Sequence, residues 1–242
     1  MSKSEVPVIV DVILPCLDER DALPWVLSRL PQGYRAIVVD NGSTDGSADV
    51  AAELGAMVIR EPVRGFGSAA HAGLRAATAD YVAFCDCDGS MDPAALPGLM
   101  ALVLDGTADL VMGSRRPKRR SWPLHARIAN LVLAWRLRRL TGEKVTDLGP
   151  MRCAGREALL SLNLLDRRSG YPLEMFLKAS QRHWRISELP INYSPRTGKS
   201  KVTGTVRGTL TAVMDMSAQL RSARLLSSAA PVQSVRGNEE EE

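Results

Sequence analysis

The chain is predicted to be an α/β protein with a mostly parallel central sheet covered by helices on both faces. Two observations carry this. Short β-branched runs alternate with helix-forming segments from Val8 to Met112, and three of these runs end abruptly in polar turns, after Leu14, Val39 and Cys85. Such alternation makes βαβ units, and in open parallel sheets ligands collect beyond the carboxyl ends of the strands.

The elements follow in order. Val8 to Leu14 reads as a first strand, Ala22 to Leu30 as a helix, Ala36 to Asp40 as a second strand and Ala48 to Leu54 as a second helix. Met57 to Ile59, Tyr81 to Cys85 and Leu110 to Met112 read as three more strands, separated by helices over Ser68 to Ala77 and Ala94 to Leu104. Beyond Met112, Leu124, Ile128, Leu131 and Trp135 form one helical stripe and Leu133, Leu137 and Leu140 a second, so this helix is apolar on two faces. Arg185 to Tyr193 alternates as a late strand. The expected organisation is one domain over residues 1–205, a C-terminal helix over 206–228 and a disordered acidic tail over 229–242.

Composition fits a soluble globular body: 242 residues, 45% apolar and 24% charged. No apolar run approaches the ~18 residues that cross a bilayer, and Met1 to Pro7 lacks the features of a signal peptide, so a cytoplasmic protein with at most peripheral membrane contact is expected. Cys16, Cys85, Cys87 and Cys153 match no zinc spacing and read as reduced packing residues. Four of the 27 acidic residues occupy the last four positions, so the rest of the chain is four units more positive than the formal +4. Between Arg115 and Arg139 lie nine Lys or Arg and no Asp or Glu, a concentration that predicts an anionic partner.

Three segments carry candidate chemistry. Asp86-Cys87-Asp88 closes the fourth strand, where paired carboxylates can hold a hard divalent cation that bridges a diphosphate. With 15 Asp in the chain an Asp-x-Asp is expected about once by chance, so its strand-end position is what counts. Asp40 to Ser47 is a turn into a capped helix, yet Asp40 could also accept hydrogen bonds from a base or ribose. Gly65-Phe66-Gly67 precedes an Ala/Gly-rich helix, which suits either close packing or approach to a ligand.

Together these pieces resemble family 2 glycosyltransferases of the GT-A nucleotide-diphospho-sugar transferase fold, and within them the dolichol-phosphate mannose or glucose synthase-like branch. The resemblance runs from about Val8 to Gly208. It rests on Pro15 to Glu19, Val38 to Gly46, Gly65 to Gly73, Asp86 to Gly89 with Asp92-Pro93, Gly113-Ser114-Arg115, Asp147 to Arg152, Glu174-Met175 and Arg196 to Lys201. Asn41 stands where the family usually has Asp, and Gly149-Pro150-Met151 where it usually has Ser-Gly-Phe.

The resemblance implies a transferase that moves a hexose from a UDP- or GDP-linked donor with inversion, using Mg²⁺ or Mn²⁺, to an acceptor such as a polyprenyl phosphate at the membrane. In that scheme Pro15, Glu19, Asp40, Gly65, Gly67 and Asp86 bind the nucleotide, and Asp86 and Asp88 face the metal. Arg115, Arg196 and Lys201 face the diphosphate or an acceptor phosphate, with Asp88 and Arg115 counted as catalytic and Arg152, Arg196, Ser200 and Lys201 as acceptor-binding. A phosphate acceptor arrives ionised, whereas a hydroxyl acceptor needs a base, for which Glu174 is the first candidate and Asp147 the second. The alternatives are a soluble hydroxyl acceptor and a non-catalytic nucleotide-sugar-binding protein. A sugar-phosphate nucleotidyltransferase would carry a Gly-rich basic loop where Pro15 to Glu19 stands. Nucleic-acid binding is not expected, since Trp122 and Trp135 fit a packed helical stripe.

Overall fold

A computed structural model describes residues 9–117 and 124–197 of the chain. The helix expected over 206–228, the tail over 229–242, and Trp122, Ser200 and Lys201 lie outside the described residues.

Seven strands form one sheet: β1 (Val10–Cys16), β2 (Tyr34–Asp40), β3 (Met57–Arg60), β4 (Tyr81–Phe84), β5 (Leu110–Pro117), β6 (Arg152–Gly155) and β7 (Ile186–Tyr193). Their order is β3-β2-β1-β4-β6-β5-β7, and all neighbours are parallel except β6, which runs antiparallel to both β4 and β5. The helices are α1 (Leu23–Ser28), α2 (Ser47–Glu53), α3 (Phe66–Ala76), α4 (Leu96–Leu104), α5 (Leu124–Thr141), α6 (Arg156–Ser161) and α7 (Tyr171–Gln181).

Two cores follow from the period-two alternation of the strands. Val10, Val12 and Leu14 point to the face where Leu23 and Val26 of α1, Ala51 of α2, and Leu96, Leu99 and Met100 of α4 are buried. Ile13, Ile37, Val39, Val82 and Phe84 point to the other, against α3, Leu137 of α5, Leu159 of α6 and Leu173, Met175 and Phe176 of α7. The small residues of α3 let it lie close on the sheet: a side chain at Gly73 would begin 2.4 Å from Ile13 Cγ2.

The expected mostly parallel architecture with helices on both faces is present. Strand and helix ends shift by a few residues, and β5 runs on to Pro117 because β7 pairs with it along its whole length. Sequence reading missed β6, α6 and α7. Arg152-Cys153-Ala154-Gly155 contains no β-branched residue and α6 is too short to show a period, whereas α7 carries a short polar stripe, Glu174, Lys178 and Gln181, that was open to reading. The two-faced helix α5 exists, but only its second stripe is packed. Leu137 is fully buried, whereas Ile128, Leu131, Val132 and Trp135 are about half exposed or more. The packed role expected for Trp135 is therefore corrected: it lies on the surface with the Arg139 guanidinium 4.9 Å from its ring centroid.

Asp11, wholly buried in β1, ties three segments together. Its carboxylate accepts from Arg35 Nε (2.7 Å) and Nη2 (2.9 Å) on β2 and from the N–H groups of Thr78 (2.7 Å) and Ala79 (2.9 Å) ahead of β4. Burial pushes this carboxyl up, but the Arg35 and backbone hydrogen bonds outweigh it and hold its pKa below the usual value. Asp11→Ala strands those two N–H groups, and we expect a loss of about 3 kcal/mol in denaturant unfolding. Because the folded-state pKa lies below the unfolded one, the Asp11 contribution is complete above about pH 4 and fades as pH falls through the folded value. The variant should therefore show a shallower loss of stability on acidification than the parent, which parallel unfolding curves at decreasing pH will check.

Candidate active site

The carboxyl ends of β1, β2 and β4 meet at one edge, and the loops beyond them are stitched together. The Asp18 N–H donates to Ser43 Oγ (3.0 Å), Asp18 Oδ1 accepts from Thr44 N (2.7 Å), and the Glu19 N–H donates to Ser47 Oγ (2.9 Å). Asp40, at the end of β2, takes the Ser43 N–H on Oδ1 (2.9 Å) and closes the turn, while the helix after it starts from Gly46, without the side-chain cap expected there, and Asp45 Oδ1 takes the Ser47 N–H (2.9 Å). Asn41 uses its whole amide: Nδ2 donates to the carbonyls of Glu61 (2.9 Å) and Val63 (2.8 Å), while Oδ1 accepts from Gly65 N (2.8 Å). An ionised Asp could not make the two donations, which explains Asn at this position.

Gly65 and Gly67 do not open toward a ligand, which corrects the expectation that they bind the nucleotide. A side chain at Gly65 would begin 2.2 Å from the Arg167 carbonyl oxygen, and one at Gly67 2.7 Å from the Asp166 carbonyl oxygen. The first N–H groups of α3 are also taken, Gly67 by the Arg168 carbonyl (3.1 Å) and Ser68 by that of Arg167 (2.8 Å). The glycines serve a backbone-to-backbone contact within the protein.

Glu174 holds the other side of that contact. Buried on α7, its carboxylate accepts from Leu165 N (2.9 Å to Oε2) and Asp166 N (2.7 Å), and it pairs with Lys178 Nζ at 2.8 Å. A carboxylate with these partners anchors the 164–168 loop, a structural role at the position where a general base was expected.

The acidic turn after β4 is built differently. Asp88 is buried; Oδ1 accepts from Ser90 N (2.8 Å) and Oδ2 is bound by Arg196 Nη2. Arg196 arrives there because the segment after β7 lies across the turn, with Ser194 N donating to the Ser90 carbonyl and Thr197 N to the Asp88 carbonyl, each at 2.8 Å. The same guanidinium is 3.7 Å from Glu19 Oε1. Arg196, expected on the acceptor side, thus sits at the acidic turn. Beside it, burial first and then the Asp88 charge push the Asp86 carboxyl up to about 7, against the pull of Arg196 and Arg115.

Arg115 and Asp147 form a second unit. Asp147 accepts from Arg115 Nε and N on Oδ2 (2.8 Å each) and from Nη2 on Oδ1 (2.7 Å), and the Arg115 guanidinium lies 5.7 Å from the Tyr193 ring centroid. Glu188 Oε1 in turn accepts from the N–H groups of Thr146 (2.9 Å) and Asp147 (3.1 Å). Asp147 is therefore committed to orienting Arg115. Glu188 and Tyr193 escaped sequence reading because both sit at ordinary positions of an alternating strand.

Arg152, expected to bind acceptor, is buried at the head of β6, donating to the carbonyls of Gly149 (3.0 Å) and Pro172 (2.5 Å). Burial pulls its pKa down to about 10 despite Asp147. It supports the 147–151 turn from within. The structure therefore gathers Glu19, Asp86, Asp88 and Arg196 at one point, with Arg115 and Asp147 alongside, near Pro15 and Asp40 at the ends of β1 and β2. Gly65, Gly67, Arg152 and Glu174 form the support.

Among the described residues no three His, Cys, Asp or Glu side chains converge into a protein-only metal cage. Asp86 and Asp88 nevertheless fit Mg²⁺ or Mn²⁺, because Mg²⁺ commonly takes one or two carboxylates and completes its shell with substrate phosphates and water.

The same fold is found in solved GT-A glycosyltransferases. Glucosyl-3-phosphoglycerate synthase from Mycobacterium tuberculosis, solved with Mn²⁺, UDP-glucose and phosphoglyceric acid, superposes with a TM-score of 0.71 at 24% identity over 88% of this chain and 79% of that one. An uncharacterised glycosyltransferase of M. tuberculosis is 54% identical, covering 85% of this chain and 95% of that protein, and a dolichyl-phosphate hexose transferase of Haloferax volcanii is 30% identical, covering 79% and 85%. Residues 11–167 match the family described as glycosyl transferase family 2. The chain belongs to that family.

Glu174→Gln separates anchor from base. We expect turnover at saturating substrates to stay within about tenfold of the parent while the denaturant midpoint falls. A base would lose about 10²–10⁴-fold with stability unchanged.

Proposed function

We propose that the chain is an inverting glycosyltransferase that moves a hexose from a UDP- or GDP-linked donor to a polyprenyl phosphate at an anionic membrane surface. The observation that carries this reading is a cleft of about 430 Å³ between the end of β5 and α5, in which Arg115, Arg116 and Arg127 stand beside Leu131 and outnumber the two carboxylates of the wall, Asp147 and Glu188, which are engaged by Arg115 and by the 146–147 turn. Leu131 belongs to the exposed apolar stripe of α5, with Ile128, Val132 and Trp135. A basic cleft continuous with an apolar stripe suits an acceptor with a phosphate head and a hydrocarbon tail.

In this reading Asp40 and Glu19 contact the nucleoside beside Pro15. Asp86 and Asp88 hold Mg²⁺ or Mn²⁺, which when bound neutralises charge on the departing diphosphate. Arg196, poised on Asp88, is in reach of the same phosphates, and Arg115, kept in one orientation by Asp147, faces the acceptor phosphate with forked donors. The acceptor oxygen is already anionic, so attack on the anomeric carbon from the face opposite the diphosphate needs no protein base. The commitment of Glu174 and Asp147 to other partners agrees with this. Ser200 and Lys201 remain acceptor ligands on family position alone. The H. volcanii relative is named for a dolichyl-phosphate substrate, which supports the lipid reading.

A second reading has its own support. The M. tuberculosis synthase was solved with phosphoglyceric acid, and a soluble phosphate ester could use the same arginines. Radiolabelled UDP- and GDP-hexoses with Mn²⁺, offered polyprenyl phosphate or phosphoglyceric acid, decide between them. We expect labelled product in the organic phase. Transfer to phosphoglyceric acid alone overturns the lipid acceptor.

Two variants test the parts. Asp88→Ala should lower turnover on the order of 10³-fold with its circular dichroism unchanged, the scale on which one strong transition-state charge contact acts. Full activity in it, or in excess chelator, removes the metal assignment. For the surface, the chain should co-sediment with phosphatidylserine vesicles and be released by salt, since each basic residue near such a surface contributes about 1 kcal/mol. Leu131→Glu with Trp135→Ser should abolish this. If those changes instead convert a dimer to a monomer in analytical ultracentrifugation, the stripe is a self-interface.

A further inference from the structure

A second cleft, of about 470 Å³, opens between α3, α6 and the 163–167 loop, and its lining includes His71, Arg75, Arg156, Asn163, Leu165 and Arg167. No acidic side chain lines it, although it collects three arginines and a histidine. Their hydrogen-bonding capacity is largely unused. Arg75 is exposed, with no ion pair or hydrogen bond among the described residues. Arg156 gives Nη1 to the exposed Glu157 carboxylate, but its Nε is buried without a partner, and His71 Nδ1 is buried without one as well. Arg167 is fixed at the wall by Nη1 donating to the Leu164 carbonyl at 2.8 Å.

Cations gathered with a single carboxylate, the exposed Glu157 on Arg156, between them repel one another, and buried donors without acceptors each cost about 1–3 kcal/mol. One oxyanion relieves both. Burial first, then Arg167 and Arg75, pull the His71 imidazole below its usual pKa, with Glu174 opposing; Glu174 itself is engaged by backbone N–H groups and Lys178. Planar guanidinium forks match phosphate geometry, and Leu160, Leu164 and Leu165 add apolar walls suited to the rest of a phosphate ester.

We propose that this cleft is a phosphate-binding site separate from the acidic turn and from the β5–α5 cleft, taking the phosphate group of either a soluble ester or a lipid headgroup. It is independent of the acceptor assigned above, because none of its side chains lines that cleft or is among the charges that act on the Asp86 carboxyl.

The test is a titration of the full chain with inorganic phosphate at constant ionic strength, following the His71 imidazole by NMR and assigning it among the three histidines with His71→Gln. Saturable binding should raise the His71 titration midpoint by about one unit, as a nearby opposite charge does. Arg75→Gln and Arg156→Gln should each weaken the phosphate response at least tenfold, while Asp88→Ala leaves it unchanged. Arg75 has no partner among the described residues to lose, so that variant carries the test if Arg156→Gln unfolds. The source follows from two further arms: a stronger response to phosphatidic acid vesicles than to glycerol phosphate assigns a lipid headgroup, and the reverse assigns a soluble ester. Absence of any His71 response to these phosphates, or a response that survives Arg75→Gln undiminished, overturns the proposal.

Discussion

The sheet depends on a strand of four residues. β4 and β5 never pair directly; every ladder hydrogen bond between the two halves passes through Arg152–Gly155, antiparallel to both. The chain leaves β5, forms α5 and only then returns as β6, which enters the gap antiparallel to both neighbours. The consequence is chemical as well as mechanical. β6 sets the spacing between the end of β4, which carries Asp86 and Asp88, and the end of β5, which carries Arg115. The buried Arg152 at its head donates to the turn after Asp147 and to the start of α7, so the joint and the loops over the site are held by one guanidinium.

Buried charge is used in two ways. Asp11, Asp147 and Glu174 each have several short hydrogen bonds, and each fixes loops or an arginine in place. Satisfied in this way, a buried carboxylate specifies geometry, and its removal leaves stranded donors. Asp86 is the contrast. Burial and its neighbour Asp88 disfavour its ionisation, and the cationic charge nearby does not fully compensate. Sites that hold charge in this condition are commonly functional ones, which is why the acidic turn stands out from the other carboxylates of the fold.

Much of the architecture was legible because it rests on local signals. Hydrophobic period and polar strand ends identified β1 to β5, β7 and α1 to α5, and placed Asp40 and Asp86 where ligands gather in such sheets. What escaped was set by partners distant in sequence. Gly65 and Gly67 look like a ligand loop until the backbone of residues 166–168 is seen filling the space before them. Glu174 looks like a base until three N–H contacts from the 165–166 backbone are counted. Arg196 looks like an acceptor ligand until the return of the chain after β7 lays it on Asp88.

From its residues alone the chain declared an α/β sheet with an acidic strand end and a basic, apolar helix beyond it, since periodicity and composition act over a few residues and need no distant partner. Tertiary packing assigned the roles. A carboxylate or guanidinium is a catalyst, a ligand or a clamp according to burial and the groups within about 3 Å of it, and for Asp147 and Arg152 those groups include Arg115, Glu188 and the Pro172 carbonyl, from segments that sequence spacing does not bring together.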